Sequence, residues 1–231
     1  GFRGIVARNQ STGLDMVVNV AGVTGTSDGV YANNAGRGAL SVTATGTVTG
    51  TSGFGIFAEK TNYSSTTDLT IAATDVSGGE NGIFARNYGS GATSVTATGA
   101  VTGATRRGIY AKNYNGHGSN LEVDVTDVTG ATDGIYARNK GTGALSVTST
   151  GTVTGTSGFG IAAGNSGTDL TVSTASVSGG GTGILALNYG TGSLSVTATG
   201  LVTGTTSIGI DALNYGTDLA VSTASASGGL I

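Results

Sequence analysis

The stretch GIYARNKGTGALSVTSTGTVTG, from Gly134 to Gly155, contains the pattern that decides the fold of this chain. Within it, Ile135 and Ala137 alternate with larger or more polar neighbours, and the same alternation continues through Leu145 and Val147. Alternation with period two is typical of a half-buried β-strand, whereas an amphipathic helix needs apolar residues three and four positions apart. Glycine, asparagine and threonine separate the alternating segments and indicate turns. The stretch therefore predicts short β-strands joined by tight turns.

The same pattern recurs along the whole chain. A tetrad of glycine, aliphatic residue, variable residue and alanine begins at Gly4, Gly29, Gly55, Gly82, Gly108, Gly134, Gly160, Gly183 and Gly209. Successive tetrads are 25, 26, 27, 26, 26, 26, 23 and 26 residues apart. Moreover, the segment 143–161 repeats the segment 38–56 with one difference, Ser149 in place of Ala44. So regular a period predicts a solenoid of stacked repeats and makes separate globular domains improbable.

Stacking explains how so short a repeat buries its apolar side chains. One coil cannot cover its own apolar row, but stacked coils align the aliphatic residue of each tetrad in one column and the alanine in the next. The sequence thus predicts an all-β fold: a single parallel β-helix, or β-solenoid, over residues 1–231, with about nine coils, ~26 residues per coil and three short strands per coil. At the ~4.8 Å spacing of paired strands, this solenoid is roughly 43 Å long. Odd and even coils carry different phrases, so the duplicated unit is expected to be two coils.

Composition argues against several classes of protein. The chain has 231 residues with 44 glycines, no proline, no cysteine and only 10% charged residues, and its formal net charge is −3. This charge gives no electrostatic reason to expect nucleic acid as a partner. No apolar run approaches the roughly 18 residues of a membrane-spanning helix, so no membrane insertion is expected. Without cysteine, a disulfide scaffold and a thiolate zinc site are excluded.

A column of asparagines forms the most regular polar feature. It contains Asn9, Asn34, Asn87, Asn113, Asn139, Asn165, Asn188 and Asn214, and Lys60 interrupts it. Asparagine tolerates turn geometry, and its amide both donates and accepts hydrogen bonds, so these residues are predicted to form a structural ladder at one corner of the coils. A ligand-binding role for the amides is the alternative.

Catalytic chemistry finds little support in the sequence. Glu122, Asp124 and Asp127 form the densest carboxylate cluster, and outward acids on a strand are usually solvent-facing residues that oppose edge pairing. His117 is the only histidine and lies in a turn without an acid or nucleophile in phase. We therefore expect no enzymatic activity, no cofactor and no metal site. A polysaccharide-processing enzyme is the alternative if the carboxylate cluster lines a groove.

One outward face of the first strand carries a candidate binding surface. Its predicted residues are the aromatic Phe57, Phe84, Tyr110 and Tyr136 and the basic Arg86, Lys112 and Arg138. We call these seven residues the ribbon. Aromatic rings beside cations suit the stacking of sugars or contact with an acidic polymer. The alternative is that the rings only shield strand hydrogen bonds while the basic stems pack over them.

The tandem phrases suggest a family. GIYARN followed by ALSVTSTGTVTG resembles the passenger regions of bacterial autotransporters and of haemagglutinin-like exoproteins, and the resemblance covers essentially the whole chain. It implies a right-handed β-helix, export across the outer membrane of a Gram-negative bacterium, and an extracellular or cell-surface location. Such passengers also have a signal peptide and a translocating barrel, so the present chain is expected to be a segment of a longer repetitive protein.

Three hypotheses about function follow. The first is a non-catalytic structural or adhesive β-solenoid of a secreted or cell-surface protein, with a host-surface or glycan ligand as partner. The second is an extracellular filament subunit whose partner is another copy of itself, stacked head to tail, because solenoid ends present unpaired strand edges. The third is a polysaccharide-binding or polysaccharide-processing β-helix.

Overall fold

A computed structural model describes residues 1–229, and these contain β-strands and no helix. The strands are β1 (Ile5–Asn9), β2 (Met16–Val20), β3 (Val23–Gly25), β4 (Val30–Asn34), β5 (Leu40–Ala44), β6 (Val48–Gly50), β7 (Ile56–Lys60), β8 (Leu69–Ala73), β9 (Val76–Gly78), β10 (Ile83–Asn87), β11 (Thr93–Gly103), β12 (Ile109–Asn113), β13 (Leu121–Gly130), β14 (Ile135–Asn139), β15 (Leu145–Gly155), β16 (Ile161–Asn165), β17 (Leu170–Gly179), β18 (Ile184–Asn188), β19 (Leu194–Gly204), β20 (Ile210–Asn214) and β21 (Leu219–Gly228). The predicted domain extends to residue 231, and its last two residues lie outside the described part.

The strands form two sheets that run along the stack of coils. The first sheet takes one strand from each coil, in the order β1-β4-β7-β10-β12-β14-β16-β18-β20. The second sheet contains the remaining 12 strands, and every strand pair in both sheets is parallel. Parallel pairing of strands one repeat apart is the geometry of a β-solenoid, so the predicted all-β fold with about nine coils is confirmed. We number the coils one to nine from β1 to β20.

The register of the first sheet aligns the columns that the sequence predicts. Ile109 pairs with Ile135, and Ala111 pairs with Ala137, and the same pairing continues along the stack. Successive positions of β12 and of β14 alternate between buried and partly exposed, and the aliphatic residues that begin the strands of the first sheet, from Val30 to Ile184, are fully buried. One continuous apolar core therefore runs through the coils, with the aliphatic residues of the second sheet facing those of the first.

The number of strands per coil changes along the chain. Coils one to three contain three short strands, as the sequence predicts. From β11 onward, the second and third strands of each coil form one longer strand. The predicted turn between them survives as a shift of register, for example between Ala97 and Ala100 in β11. The chain therefore bends at this corner without leaving the extended conformation.

The last coil shows what stacking contributes to burial. Leu219 and Val221 of β21 are in register with the buried Leu194 and Val196 of the preceding coil. Nevertheless, they are 51% and 47% exposed, because no further coil covers them among residues 1–229. Head-to-tail stacking of copies stays a prediction of the sequence.

Candidate functional site

The first sheet presents a ladder of stacked aromatic rings on its outer face. Its members are Tyr31, Phe57, Phe84, Tyr110 and Tyr136, one from each of coils two to six. Their ring centroids are 4.7, 5.1, 4.8 and 5.3 Å apart, and neighbouring ring planes deviate from parallel by at most 9°. The structure thus brings together the four predicted aromatic residues. Tyr31 extends the ladder by one rung, and its place in the tetrad GVYA already indicated this position.

The residue that directly precedes each tetrad places its side chain against the ladder in several coils. The ring of Phe54 lies 5.3 Å from Phe57 and 5.1 Å from Phe84, at a tilted angle. Arg107 occupies the same position two coils later, with its guanidinium carbon 4.7 Å from the ring centroid of Tyr136. Asp133 holds this guanidinium through a 2.7 Å ion pair. The ladder is therefore partly an internal packing element, and Phe57 is only 8% exposed.

Arg86 is the basic ribbon residue that is most firmly held. Its guanidinium forms a 2.7 Å ion pair with Glu59 and lies 4.7 Å from the ring centroid of Phe84. Burial acts to lower the pKa of Arg86, but Glu59 and the hydroxyls of Tyr114 and Tyr88 outweigh burial, so the pKa is raised. Arg86 is therefore a permanent cation that cross-links the face, consistent with the alternative that basic stems pack over the rings.

The other two basic ribbon residues have fewer contacts. Lys112 places its ammonium group 3.8 Å from the ring centroid of Tyr114, where a cation is attracted by the π-face. Arg138 forms no side-chain hydrogen bond or ion pair within residues 1–229. Hence two of the three predicted cations keep donors that a ligand can use.

The ladder stops in coil seven, where small residues create a groove. Ala162 pairs with Tyr136, and Gly164 pairs with Arg138, so both outward positions of this coil lack a large side chain. In coil eight the same positions carry Leu185 and Leu187. The resulting groove has a volume of about 150 Å³, and we call it the coil-seven notch. Its lining residues outside the floor are Tyr136, Arg138, Phe159, Leu185, Leu187 and Tyr189.

The asparagine column lies inside the solenoid. Six of its eight members are completely buried, and Asn9 and Asn214 at the two ends are half-buried. The amide nitrogen of Asn139 donates to the carbonyl of Gly143 at 3.0 Å, and its oxygen accepts from the amide of Gly141 at 3.1 Å. Amide contacts between neighbouring coils occur at Asn113–Asn139, Asn165–Asn188 and Asn188–Asn214. The amides therefore mainly hold their own turn, and burial leaves the six inner ones inaccessible to a ligand.

Lys60 replaces asparagine in coil three and is a residue whose burial the sequence did not reveal. Its side chain is 0% exposed, and its ammonium group donates to the hydroxyls of Ser65 at 2.9 Å and Thr67 at 2.6 Å. Burial lowers the pKa of Lys60 to about 8, and the carboxylates of Asp68 and Asp15 offset only part of this effect. The longer turn of coil three supplies the oxygens that replace water around the ammonium group.

We expect Lys60 to make stability depend on pH. Its pKa is about 8 in the folded chain against 10.5 when unfolded, so the unfolded chain binds more protons between these values. The cost of burying the charge is fully present below pH 8 and disappears as the pH rises to 10.5. The free energy of unfolding should therefore increase by about 2–3 kcal/mol over this interval relative to Lys60→Met. Urea unfolding at pH 7, 8, 9 and 10, followed by circular dichroism, measures this difference, and parallel curves would contradict it.

Most carboxylates with defined contacts cap backbone amides of the next coil. In odd coils, one acceptor directly precedes the second strand of the coil. Asp68, for example, precedes β8 and accepts from the backbone amide of Ala92 at 2.8 Å. Even coils carry the acceptor before the tetrad, where Asp133 accepts from the amide of Phe159 at 3.1 Å. A third acceptor lies at the corner between the second and third strand segments of two odd coils, at Asp75 and Asp127. Within residues 1–229, the side-chain acceptors in these three roles are Asp15, Asp28, Asp68, Asp75, Asn81, Asn120, Asp127, Asp133 and Asp169. These polar groups join one coil to the next.

The three carboxylates of the predicted cluster, Glu122, Asp124 and Asp127, have different environments. Asp127 accepts from the amide of Thr152 at 2.7 Å, whereas Glu122 and Asp124 are exposed on the outer face of β13. Within residues 1–229, no three acids or histidines are close enough to hold a metal ion. His117 lies exposed in its turn, where its backbone amide donates to Asn115.

Comparisons with known proteins add no relative: no protein-family model, curated protein or solved structure matches the chain. Across residues 1–229, no helix has the length and apolar character needed to cross a membrane.

Proposed function

We propose that this chain is a non-catalytic structural β-solenoid that displays an adhesive face, as part of a secreted or cell-surface protein. The structural role is supported by the hydrogen bonds of the polar side chains, most of which are made to the backbone of the solenoid itself. Buried asparagines hold the turns, and carboxylates cap the amides of the following coil. Polar side chains that stabilise each turn and join each coil to the next favour a rod that keeps its shape over many coils.

The ribbon supports the adhesive part of the proposal. Its ring faces are covered by one another and by side chains such as Phe54, so the ladder stiffens the face. Lys112 keeps hydrogen-bond donors beside the ring of Tyr114, and Arg138 keeps its donors in the groove that Tyr136 also lines. A rigid apolar surface with a few donors at its margin is suited to a glycan that carries carboxylates. The resemblance to autotransporter passengers supports surface display in a Gram-negative bacterium.

Binding to an acidic polysaccharide tests this face. Hyaluronan, which carries one carboxylate per disaccharide, should bind the chain in surface plasmon resonance, and neutral dextran should not. The double variant Lys112→Gln/Arg138→Gln should weaken binding at least about tenfold, because it removes the donors available to a carboxylate. Higher salt should weaken binding as well, since both cations are partly solvent-exposed.

A charge-matched control separates the face from net charge. Arg37→Gln/Arg106→Gln removes two positive charges outside the ribbon, from exposed side chains, and should leave hyaluronan binding unchanged. Equal loss in both double variants would reduce the effect to overall charge. Unchanged binding in the ribbon variant, or absence of binding by the parent chain, would refute the adhesive face.

A further inference from the structure

We propose that the coil-seven notch binds one pyranose ring that carries a carboxylate, as the specific subsite of the contact face. This inference rests on the proposed function and names the part of the face that selects the ligand. The notch is the place where the aromatic ladder lacks a rung while side chains on both sides continue.

The small residues of the notch are not required by the backbone. A methyl group added at Gly164 would meet only the side chain of Arg138, at 3.8 Å, which is ordinary van der Waals contact. By contrast, a methyl group at Gly160 in the same coil would meet the carbonyl oxygen of Gly183 at 2.8 Å. The equivalent of Ala162 is an aromatic residue in each of coils two to six. Packing of the coil thus leaves room here for a large side chain that the sequence does not supply.

The dimensions of the notch fit a single ring. Tyr136 and Leu185 belong to coils six and eight, so their strands are about 9.6 Å apart at the ~4.8 Å spacing of paired strands. One ring inserted between them would restore the rung spacing of the ladder, which is 4.7–5.3 Å. The volume of about 150 Å³ agrees with this size, because an apolar cavity of that volume accepts one benzene-sized ring.

The walls favour a sugar ring over a purely apolar one. Tyr110 covers one face of Tyr136, and the opposite face is directed over Ala162, because coil seven has no ring at the ladder position. The ring of Phe159, which directly precedes the tetrad of coil seven, lines the notch beside this position. Leu185 forms the facing wall. A pyranose offers C–H groups on both faces to these walls and keeps its hydroxyls at the rim, where an open surface groove leaves them hydrated.

Charge in the notch favours an acidic sugar. Arg138 lines the notch with a guanidinium that has no ion pair or side-chain hydrogen bond within residues 1–229. None of the lining residues carries a carboxylate. A guanidinium binds a carboxylate through two parallel hydrogen bonds, so it can hold the acid group of a uronic or sialic acid residue at the edge of the ring.

Titrations with small sugars, followed by NMR chemical shifts of the protein, test the site. Methyl glucuronide should bind at least about tenfold more tightly than methyl glucoside, which carries a hydroxymethyl group in place of the carboxylate. N-acetylneuraminate, titrated in parallel, distinguishes a sialic acid source from a uronic acid source. Arg138→Gln should remove the preference for the acidic sugar. Equal affinity of the glucuronide and the glucoside, or no binding of either acidic sugar, would overturn the proposal.

A variant that fills the notch tests the location of the binding site directly. Ala162→Tyr should supply the missing rung and abolish sugar binding without loss of stability. Val6→Tyr is the matched control, because it adds the same side chain at the ladder position of coil one, where Val6 is 50% exposed, and should leave binding unchanged. Melting temperatures of both variants verify that they fold. If Ala162→Tyr melts far below the parent chain, Gly164→Leu fills the notch from its other position and decides the question.

The hyaluronan assay separates this inference from the proposed function. If the parent chain binds hyaluronan and Ala162→Tyr binds it equally well, the contact face stands and the notch is not its subsite. If the parent chain does not bind hyaluronan but binds N-acetylneuraminate in the notch, the subsite is supported and the predicted binding of hyaluronan is contradicted. If neither binds, both proposals fall.

Discussion

Replacement of Gly134 by alanine should destabilise the solenoid by about 3 kcal/mol. The added methyl group would lie 2.6 Å from the carbonyl oxygen of Gly160 and 2.6 Å from a methyl group of Val153. That carbonyl accepts the hydrogen bond from the amide of Ile135, so it cannot retreat without breaking the contact between coils six and seven. The glycines that begin the tetrads of coils one to eight share this environment, because a carbonyl oxygen of the next coil and a methyl group of an inward valine approach each of them closely.

Gly164→Ala is the matched control for this prediction. It adds the same methyl group in the first sheet, one coil away, where only the side chain of Arg138 lies within 4 Å. Its free energy of unfolding should stay within about 0.5 kcal/mol of the parent chain. Urea unfolding monitored by far-ultraviolet circular dichroism measures both variants. Similar losses in the two variants would show that steric contact at the start of the tetrad is not the cause.

Removal of the Asn139 amide should cost about 3 kcal/mol as well, for an electrostatic reason. Its nitrogen donates to the carbonyls of Gly143 and Ala144, and its oxygen accepts from Gly141 and from Asn113. In Asn139→Ala, these buried groups lose their partner in a space that does not admit bulk water. The loss in free energy of unfolding measures the combined effect.

Two further variants make the interpretation specific. Asn139→Asp keeps the shape but directs an acceptor at two carbonyl oxygens, so it should be less stable than Asn139→Ala at pH 7 and recover as the carboxyl is protonated at low pH. Asn33→Ala removes an outward asparagine, bonded only to Glu59, and should cost less than about 1 kcal/mol. A comparable loss in Asn33→Ala would contradict the importance of the buried turn.

The repeat architecture could be predicted because it depends on local alternation and on the period. Ile135 and Ala137 indicated an inward strand face, and recurrence of their tetrad indicated the register in which Ile109 pairs with Ile135. The asparagine column was visible for the same reason. Its hydrogen-bond partners were not, because they lie mostly on the backbone of each asparagine's own turn, whose path a residue pattern does not specify.

Interactions between unlike positions could not be predicted from the columns alone. Arg107 covers Tyr136 although it belongs to the preceding coil and to a different position in the repeat. Lys60 is buried only because its longer turn folds Ser65 and Thr67 over it. The coil-seven notch could not be predicted from the columns, because it results from the absence of a large side chain at Ala162 and depends on the neighbouring coils that surround this position.

The alternating amide caps constrain how this protein can change its length. Phe54 and Phe159 in odd coils donate from their amides to Asp28 and Asp133 in the preceding even coils, and Arg107 donates likewise to Asn81. Deletion of a single coil would bring two odd or two even coils into contact, so that these backbone amides would lose their side-chain acceptors or two acceptor side chains would lie one above the other. Deletion or insertion of a pair restores every match. Viable length variants should therefore arise by recombination in steps of two coils, and the rod should lengthen or shorten by about 9.6 Å at a time.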